Sequence, residues 1–223
     1  MSKSEKKPPF YKQRRIGTLR SLCIPLGLNL KELLSLSDKS DYLYRKVQSI
    51  TKKDGNIRDV YDALPPLKSV HKRIKTHILD HVVYPVYLTG SLRGCDYKAN
   101  AELHSKARIV INEDITSFFS STVSGNVYNV WRNFFGFSKE VSTCLARLTT
   151  RKNQLPQGAI TSSFLANLVF WKDECELYNL FLSQGLIYSR YVDDIAVSSS
   201  KFLTNDDKKN AVMTPISRTC VFR

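Results

Sequence analysis

The sequence predicts an α+β fold in which a small antiparallel sheet packs on helices, and three observations carry that prediction. Arg108 to Ile115 is a buried-type strand with an acid, Asp114, at its end. Ile187 to Val197 holds two short runs of β-branched, aromatic and apolar residues on either side of Asp193-Asp194, the pattern of a tight hairpin with an acidic bend. Between these stretches, apolar residues recur at helical spacing. A strand, a helical region and a returning hairpin can pair as one sheet that juxtaposes Asp114, Asp193 and Asp194.

The remaining elements follow in chain order. Residues 1–15 carry Lys3, Lys6, Lys7, Lys12, Arg14 and Arg15 against one acid, Glu5, and read as a basic, mobile arm. A short helix is expected around Leu28 to Leu36. Tyr42 to Ile50 and Ile57 to Tyr61 form two β-rich runs around an Asp54-Gly55-Asn56 turn, a hairpin with Lys52, Lys53 and Arg58 at its cationic tip. Pro65-Pro66 opens a helix with Leu67, Val70, Ile74, Ile78 and Val82 on one stripe. That helix also carries His77 and His81, but no Glu follows His77 and no third ligand is evident, which argues against zinc. Helices are expected over 123–134 and 138–148. A long one over 161–182 would start near Thr161 and stop at Gly185. The stretch from Lys201 to Arg223 offers no second amphipathic helix.

Composition narrows the partners. The 34 Lys and Arg against 20 Asp and Glu give a formal charge of +14, which draws polyanions such as nucleic acid or an anionic membrane. No apolar run approaches the length of a membrane span. Leu22 to Leu28 follows basic residues as a secretory core would, but Pro25 and Gly27 interrupt it. The five cysteines, scattered and odd in number, have neither metal-ligand nor redox-motif spacing. These readings predict a cytoplasmic protein with reduced thiols.

Adjacent carboxylates in an apolar hairpin repel one another and resist desolvation unless a cation lies between them. A water-exposed Asp-Asp turn is the plain alternative. Three carboxylates, however, are what two Mg²⁺ ions need to clamp the attacking and leaving oxygens of an in-line phosphoryl displacement.

At this point the residues resemble reverse transcriptases. Tyr191-Val192-Asp193-Asp194 looks like that family's signature hairpin, and Asp114-Ile115-Thr116-Ser117-Phe118-Phe119 is similar to its first catalytic segment. Leu155-Pro156-Gln157-Gly158 matches its Pro-Gln-Gly segment, and Lys52 through Arg58 its fingers hairpin. Asn100-Ala101-Glu102-Leu103-His104 fits the Asn-Ala-x-x-His element of bacterial retron-type enzymes. Ser163, where a Pro is common, and Ser121-Thr122, after the Phe pair, depart from the pattern without touching a metal ligand.

The resemblance implies a right-hand polymerase: fingers and N-terminal helices over 16–105, a palm over 106–200, and a tail over 201–223. Asp114, Asp193 and the carbonyl of Ile115 would hold two Mg²⁺ ions (or Mn²⁺), with Asp194 supporting the pair or ligating the primer-side ion. Lys52 or Lys53 and Arg58 would meet the triphosphate, and Gln157 and Gly158 would shape the nucleotide pocket. Phe119 would lie under the deoxyribose and select dNTPs, which disfavours an RNA-templated RNA polymerase. A structured RNA template, a DNA or RNA primer, a retron noncoding RNA, an effector protein and a role in phage defence are implied in the same way. Retron-type enzymes usually continue into a helical thumb. The short stretch after Asp194 leads to the expectation of a truncated or frame-disrupted chain, with a non-catalytic RNA-binding remnant as the alternative reading.

Overall fold

A computed structural model of the protein describes residues 7–51 and 57–220, together with the backbone but not the side chain of Arg58. In chain order the main elements are α1 (Leu19–Leu26), α2 (Leu30–Lys39), β1 (Tyr44–Thr51), β2 (Ile57–Ala63) and α3 (Pro65–His77). Then come α4 (Tyr97–Leu103), β3 (Ile109–Asp114), α5 (Ser124–Asn129), α6 (Lys139–Thr149) and α7 (Ser162–Leu168). Last are α8 (Glu174–Ser183), β4 (Ile187–Tyr191), β5 (Asp194–Ser199) and α9 (Thr214–Thr219). They divide into two compact units, neither continuous in sequence: one uses residues 11–82 and 119–169, the other residues 7–10, 83–118 and 170–220. No helix among the described residues is long and apolar enough to cross a membrane.

In the first unit, local signals explain most boundaries. Thr18 accepts a hydrogen bond from the Ser21 amide to start α1, and Asn29 with Glu32 forms a reciprocal capping box on α2. Pro65 stands in the first turn of α3, whose apolar stripe buries Leu67, Val70 and Ile74. The core gathers α1, α2, α3 and α6, with Leu22, Leu33, Leu145 and Leu148 fully buried. Beside it Trp131, Phe135 and Phe137 stack, and Tyr11 meets the last two edge-on at 4.8 and 5.9 Å. Within the expected mobile arm, Tyr11 is therefore packed, because an aromatic side chain finds an aromatic cluster, while Lys12 to Arg15 are exposed. Residues 1–6 lie outside the described residues.

β1 and β2 pair antiparallel from Tyr44↔Ala63 to Thr51↔Ile57, with an irregularity between Lys46 and Gln48. Along β1 only Tyr44 is buried, so that strand is solvated, whereas β2 is half-buried from Asp59 and ends at the buried Ala63. The helix expected over 123–134 is α5 continued by a wider π-helical turn, Val130–Phe134, which carries the buried Trp131.

The second unit centres on a three-stranded antiparallel sheet of order β3-β5-β4. One face buries Tyr188, Arg190, Ile195 and Val197, with Phe181 of α8 stacked on Tyr188 at 5.6 Å. The opposite face carries Asp114 and Asp194 in register at its end, and Ser189 and Ser198 farther along, where α4 packs. Residues 87–89 run parallel beside β4: Arg190 donates its amide to the Tyr87 carbonyl at 2.8 Å, and Thr89 donates to the Arg190 carbonyl at 3.0 Å.

Two expectations about helices are corrected. The long helix over 161–182 is instead α7 and α8, broken where the chain passes from one unit to the other. Gly185, with φ +73°, follows the end of α8 as expected. The tail is helical over most of 205–219. Thr204 and Asp207 form its capping box, and Val212 and Ile216, four apart, supply a buried stripe that packs with α9 on α8.

Candidate active site

Asp114 ends β3 opposite Asp194, the first residue of β5, and Asp193 sits in the turn that joins β4 to β5. Tyr191 pairs with Asp194, so the turn holds only Val192 and Asp193. Burial, then Asp193, then Asp114 push the Asp194 carboxyl above the usual carboxylate range. The three acids expected from the sequence are thus brought together electrostatically at one sheet end.

The turn is conformationally costly. Val192 has φ +60°, a left-handed backbone that a β-branched residue rarely adopts. Such a residue persists only where its surroundings over-determine it, and three groups do so. Arg190 Nη1 donates to the Val192 carbonyl at 2.8 Å. The Ile115 amide donates to the Asp193 carbonyl at 3.0 Å. Gly90 lies directly against the turn: a Cβ there would stand 2.4 Å from the Val192 nitrogen.

Arg190 is itself fully buried and meets Glu174, the first residue of α8, as a fork. Nε reaches Oε1 at 2.6 Å and Nη2 reaches Oε2 at 2.7 Å, and the Tyr188 hydroxyl donates to the same carboxylate at 2.7 Å. Phe118 and Phe170 flank the guanidinium at 5.8 and 5.7 Å. Neither Glu174 nor Arg190 stood out among the expected site residues. A lone Arg in an apolar strand was the available signal, because a buried cation requires a partner.

On the carboxylate face, the Asn-Ala-x-x-His element turns its polar ends inward. Asn100 Oδ1 accepts from the hydroxyls of Thr89 and Ser189, each at 2.7 Å. His104 bridges β4 and β5, with Nε2 2.8 Å from the Ser189 hydroxyl and Nδ1 2.7 Å from that of Ser198. Ser189 spends its proton on Asn100, so His104 Nε2 is the donor to its hydroxyl. Burial lowers the imidazole pKa.

The other expected residues lie in the first unit, apart from Lys52 and Lys53, which are outside the described residues. Arg58 pairs with Ile50 in the β1–β2 ladder. Gln157 and Gly158 dock on the next residues of the same strand: Tyr61 donates its amide to the Gln157 carbonyl at 2.8 Å. Gly158, at φ +97°, leaves no room for a side chain, since a Cβ would stand 2.7 Å from Val60 Cγ1 and 2.9 Å from the Tyr61 carbonyl. Arg151 lies over the Tyr61 ring at 3.9 Å. Phe119 is half-buried in the helical turn Phe118–Ser121.

The donor set at the acidic sheet end is all oxygen, which suits a hard divalent cation. The Ile115 carbonyl accepts a hydrogen bond from the Phe118 amide at 3.2 Å. Among the described residues, no three His, Cys, Asp or Glu side chains form a ready-made metal cage.

The class is defined by a family model described as reverse transcriptase (RNA-dependent DNA polymerase), which matches residues 44–215; the chain belongs to that family. Within it, the resemblance is to retron-type members. The chain is 37% identical over 204 residues, 92% of its length, to the Retron Se72 reverse transcriptase of Salmonella heidelberg, of which that covers 54%. It is 30% identical to the Retron Ec48 reverse transcriptase of Escherichia coli, over 87% of the chain and 51% of the relative. It is 29% identical to the Retron Ec86 reverse transcriptase of the same species, over 81% and 60% respectively. The chain therefore spans about half the length of the curated relatives it matches.

Proposed function

We propose that this protein is an RNA-directed DNA polymerase of retron type, extending a primer 3′-hydroxyl on a structured RNA template with dNTPs. The observation that carries the reading is the register of Asp114 against Asp194 with Asp193 in the adjoining turn, in a chain of this family. Asp114, Asp193 and the Ile115 carbonyl would hold two Mg²⁺ ions, with Asp194 supporting them and Mn²⁺ as a substitute. When bound, such ions supply charge neutralisation at the attacking and leaving oxygens. The unit of β3, β4 and β5 takes the role of palm, and the β1–β2 hairpin that of fingers.

The remaining residues bind and orient. Arg58, with Lys52 or Lys53, supplies fixed positive charge for the triphosphate. Gln157 and Gly158 shape the nucleotide pocket from their seat on β2, and Phe119 excludes a 2′-hydroxyl. The charge of +14 supports phosphate-backbone binding to template and primer. A retron noncoding RNA is the expected template, and an effector protein and phage defence belong to the same reading.

Primer extension on an RNA template with dNTPs and Mg²⁺, beside Asp193→Asn, tests it. Extension by the natural chain alone is the expected result. Extension by both proteins would sink the metal assignment. RNA bound in a gel shift but extended by neither would leave an RNA-binding remnant of the enzyme in its place.

A further inference from the structure

We propose that Arg190 is the positioning residue of the acidic turn, held to that task by Glu174. The proposal rests on the polymerase reading for its purpose, but its geometry stands apart from that reading.

Two peptide planes flank the Asp193 Cα, and each is fixed at its oxygen. The carbonyl of Val192 accepts from Arg190 Nη1 at 2.8 Å, and that of Asp193 accepts from the Ile115 amide at 3.0 Å. With both planes held, the φ and ψ of Asp193 are set, and so is the direction in which its Cα–Cβ bond leaves the turn. The Ile115 bond ties the turn to the residue after Asp114. The Arg190 bond ties it to the buried side of the sheet.

Stability alone does not account for the Glu174–Arg190 pair. Replacing a buried ion pair with well-packed apolar residues is often neutral or stabilising. What an apolar pair lacks is a third donor. The guanidinium places Nε and Nη2 on Glu174 and has Nη1 left for Val192, a planar fork that a lysine ammonium cannot reproduce. Glu174 and the rings of Phe118 and Phe170 fix the plane of the fork. The strained φ of Val192 is the conformation that this donor holds in place.

The test is hydrogen exchange at the amides of 192–194 in the full chain, metal-free, for Arg190→Lys and for the double variant Glu174→Met/Arg190→Met. The double variant leaves no buried charge unpaired, so its circular dichroism should stay near that of the natural chain, with melting lowered by a few degrees because the Tyr188 hydroxyl loses Glu174. Its turn amides should exchange about tenfold faster or more, while those of 195–198 stay protected. In primer extension, kcat should fall by about tenfold with KM for dNTP within about twofold, the signature of misplaced chemistry rather than weaker binding. Turn amides as protected as in the natural chain, in a folded double variant, would overturn the proposal. Should the double variant not fold, Arg190→Lys decides by the same exchange measurement. Absence of extension by the natural chain would count against the polymerase reading only, because exchange is read without substrate or metal.

Discussion

Asp114 and Asp194 lie directly opposite one another on neighbouring strands, so the sheet places two like charges across one ladder position. Directly opposed like charges destabilise a strand pair. The Asp194 carboxyl, raised by burial and by both neighbouring acids, binds a proton more tightly folded than unfolded. Its ionised form is thus a cost to the fold above the carboxylate range, and the cost vanishes as pH falls and the group protonates. Asp194→Asn should raise the melting temperature at pH 7 in chelator by about 2 °C. The rise should disappear near pH 4. A lower melting temperature at pH 7 would contradict the mutual repulsion of these acids.

His71 gives the fold an acid-sensitive point. It is fully buried, Nε2 donates to the Leu148 carbonyl at 2.7 Å, and Nδ1 has no partner. Burial lowers its pKa from 6.5 to about 4. Between those values the unfolded chain takes up a proton that the folded chain refuses, so stability is complete above pH 6.5 and falls toward pH 4. The loss should reach about 3 kcal/mol in urea unfolding. His71→Gln, which can still donate to Leu148, should flatten that slope; an unchanged slope would show that His71 is not its source.

His104 holds β4 to β5 from above through two serine hydroxyls. His104→Ala leaves the buried Ser198 hydroxyl without its imidazole partner and opens a cavity beneath α4. Urea unfolding should show a loss of about 2 kcal/mol, and Ser198→Ala in that background should return part of it. A loss indistinguishable from zero would mean that α4 is held by other contacts.

Gly158 seats the Pro-Gln-Gly loop on β2. Gly158→Ala would force a Cβ against the Tyr61 carbonyl and Val60 and strain the backbone at φ +97°. The loop should lift from the strand, with protection of the Tyr61 amide lost in hydrogen exchange. KM for dNTP should rise by about tenfold if Gln157 and Gly158 shape the nucleotide pocket. Protection of Tyr61 equal to that of the natural chain would argue against the docking.

Much of this was legible from residue order. Alternation and β-branching marked β3, β4 and β5, and a proline and an i, i+3, i+4 stripe marked α3. The acid cluster was legible because each carboxylate stands at the end of an apolar run. The break between α7 and α8 was not, since continuous apolar character records burial but not which unit does the burying. The partner of Arg190 was equally hidden: Glu174 looks like an ordinary first-turn acid until the sheet brings the guanidinium to it. The C-terminal helix was hidden because little apolar character follows its capping box, Thr204 with Asp207: its buried stripe rests on Val212 and Ile216.

The strand order β3-β5-β4 sets a timetable for synthesis. Among the described residues β3 is an edge strand that pairs in that sheet with β5, and the whole stretch from residue 115 to residue 193 is made between them. At roughly 5–20 residues per second this takes several seconds. Over that interval Ile109, Val110 and Ile111 leave the ribosome as an apolar strand with no place to pair, the kind of segment that seeds aggregation. Chains interrupted before Asp194 should consequently collect in the insoluble fraction, and slower, cooler expression or a chaperone that shields β3 should raise the soluble yield.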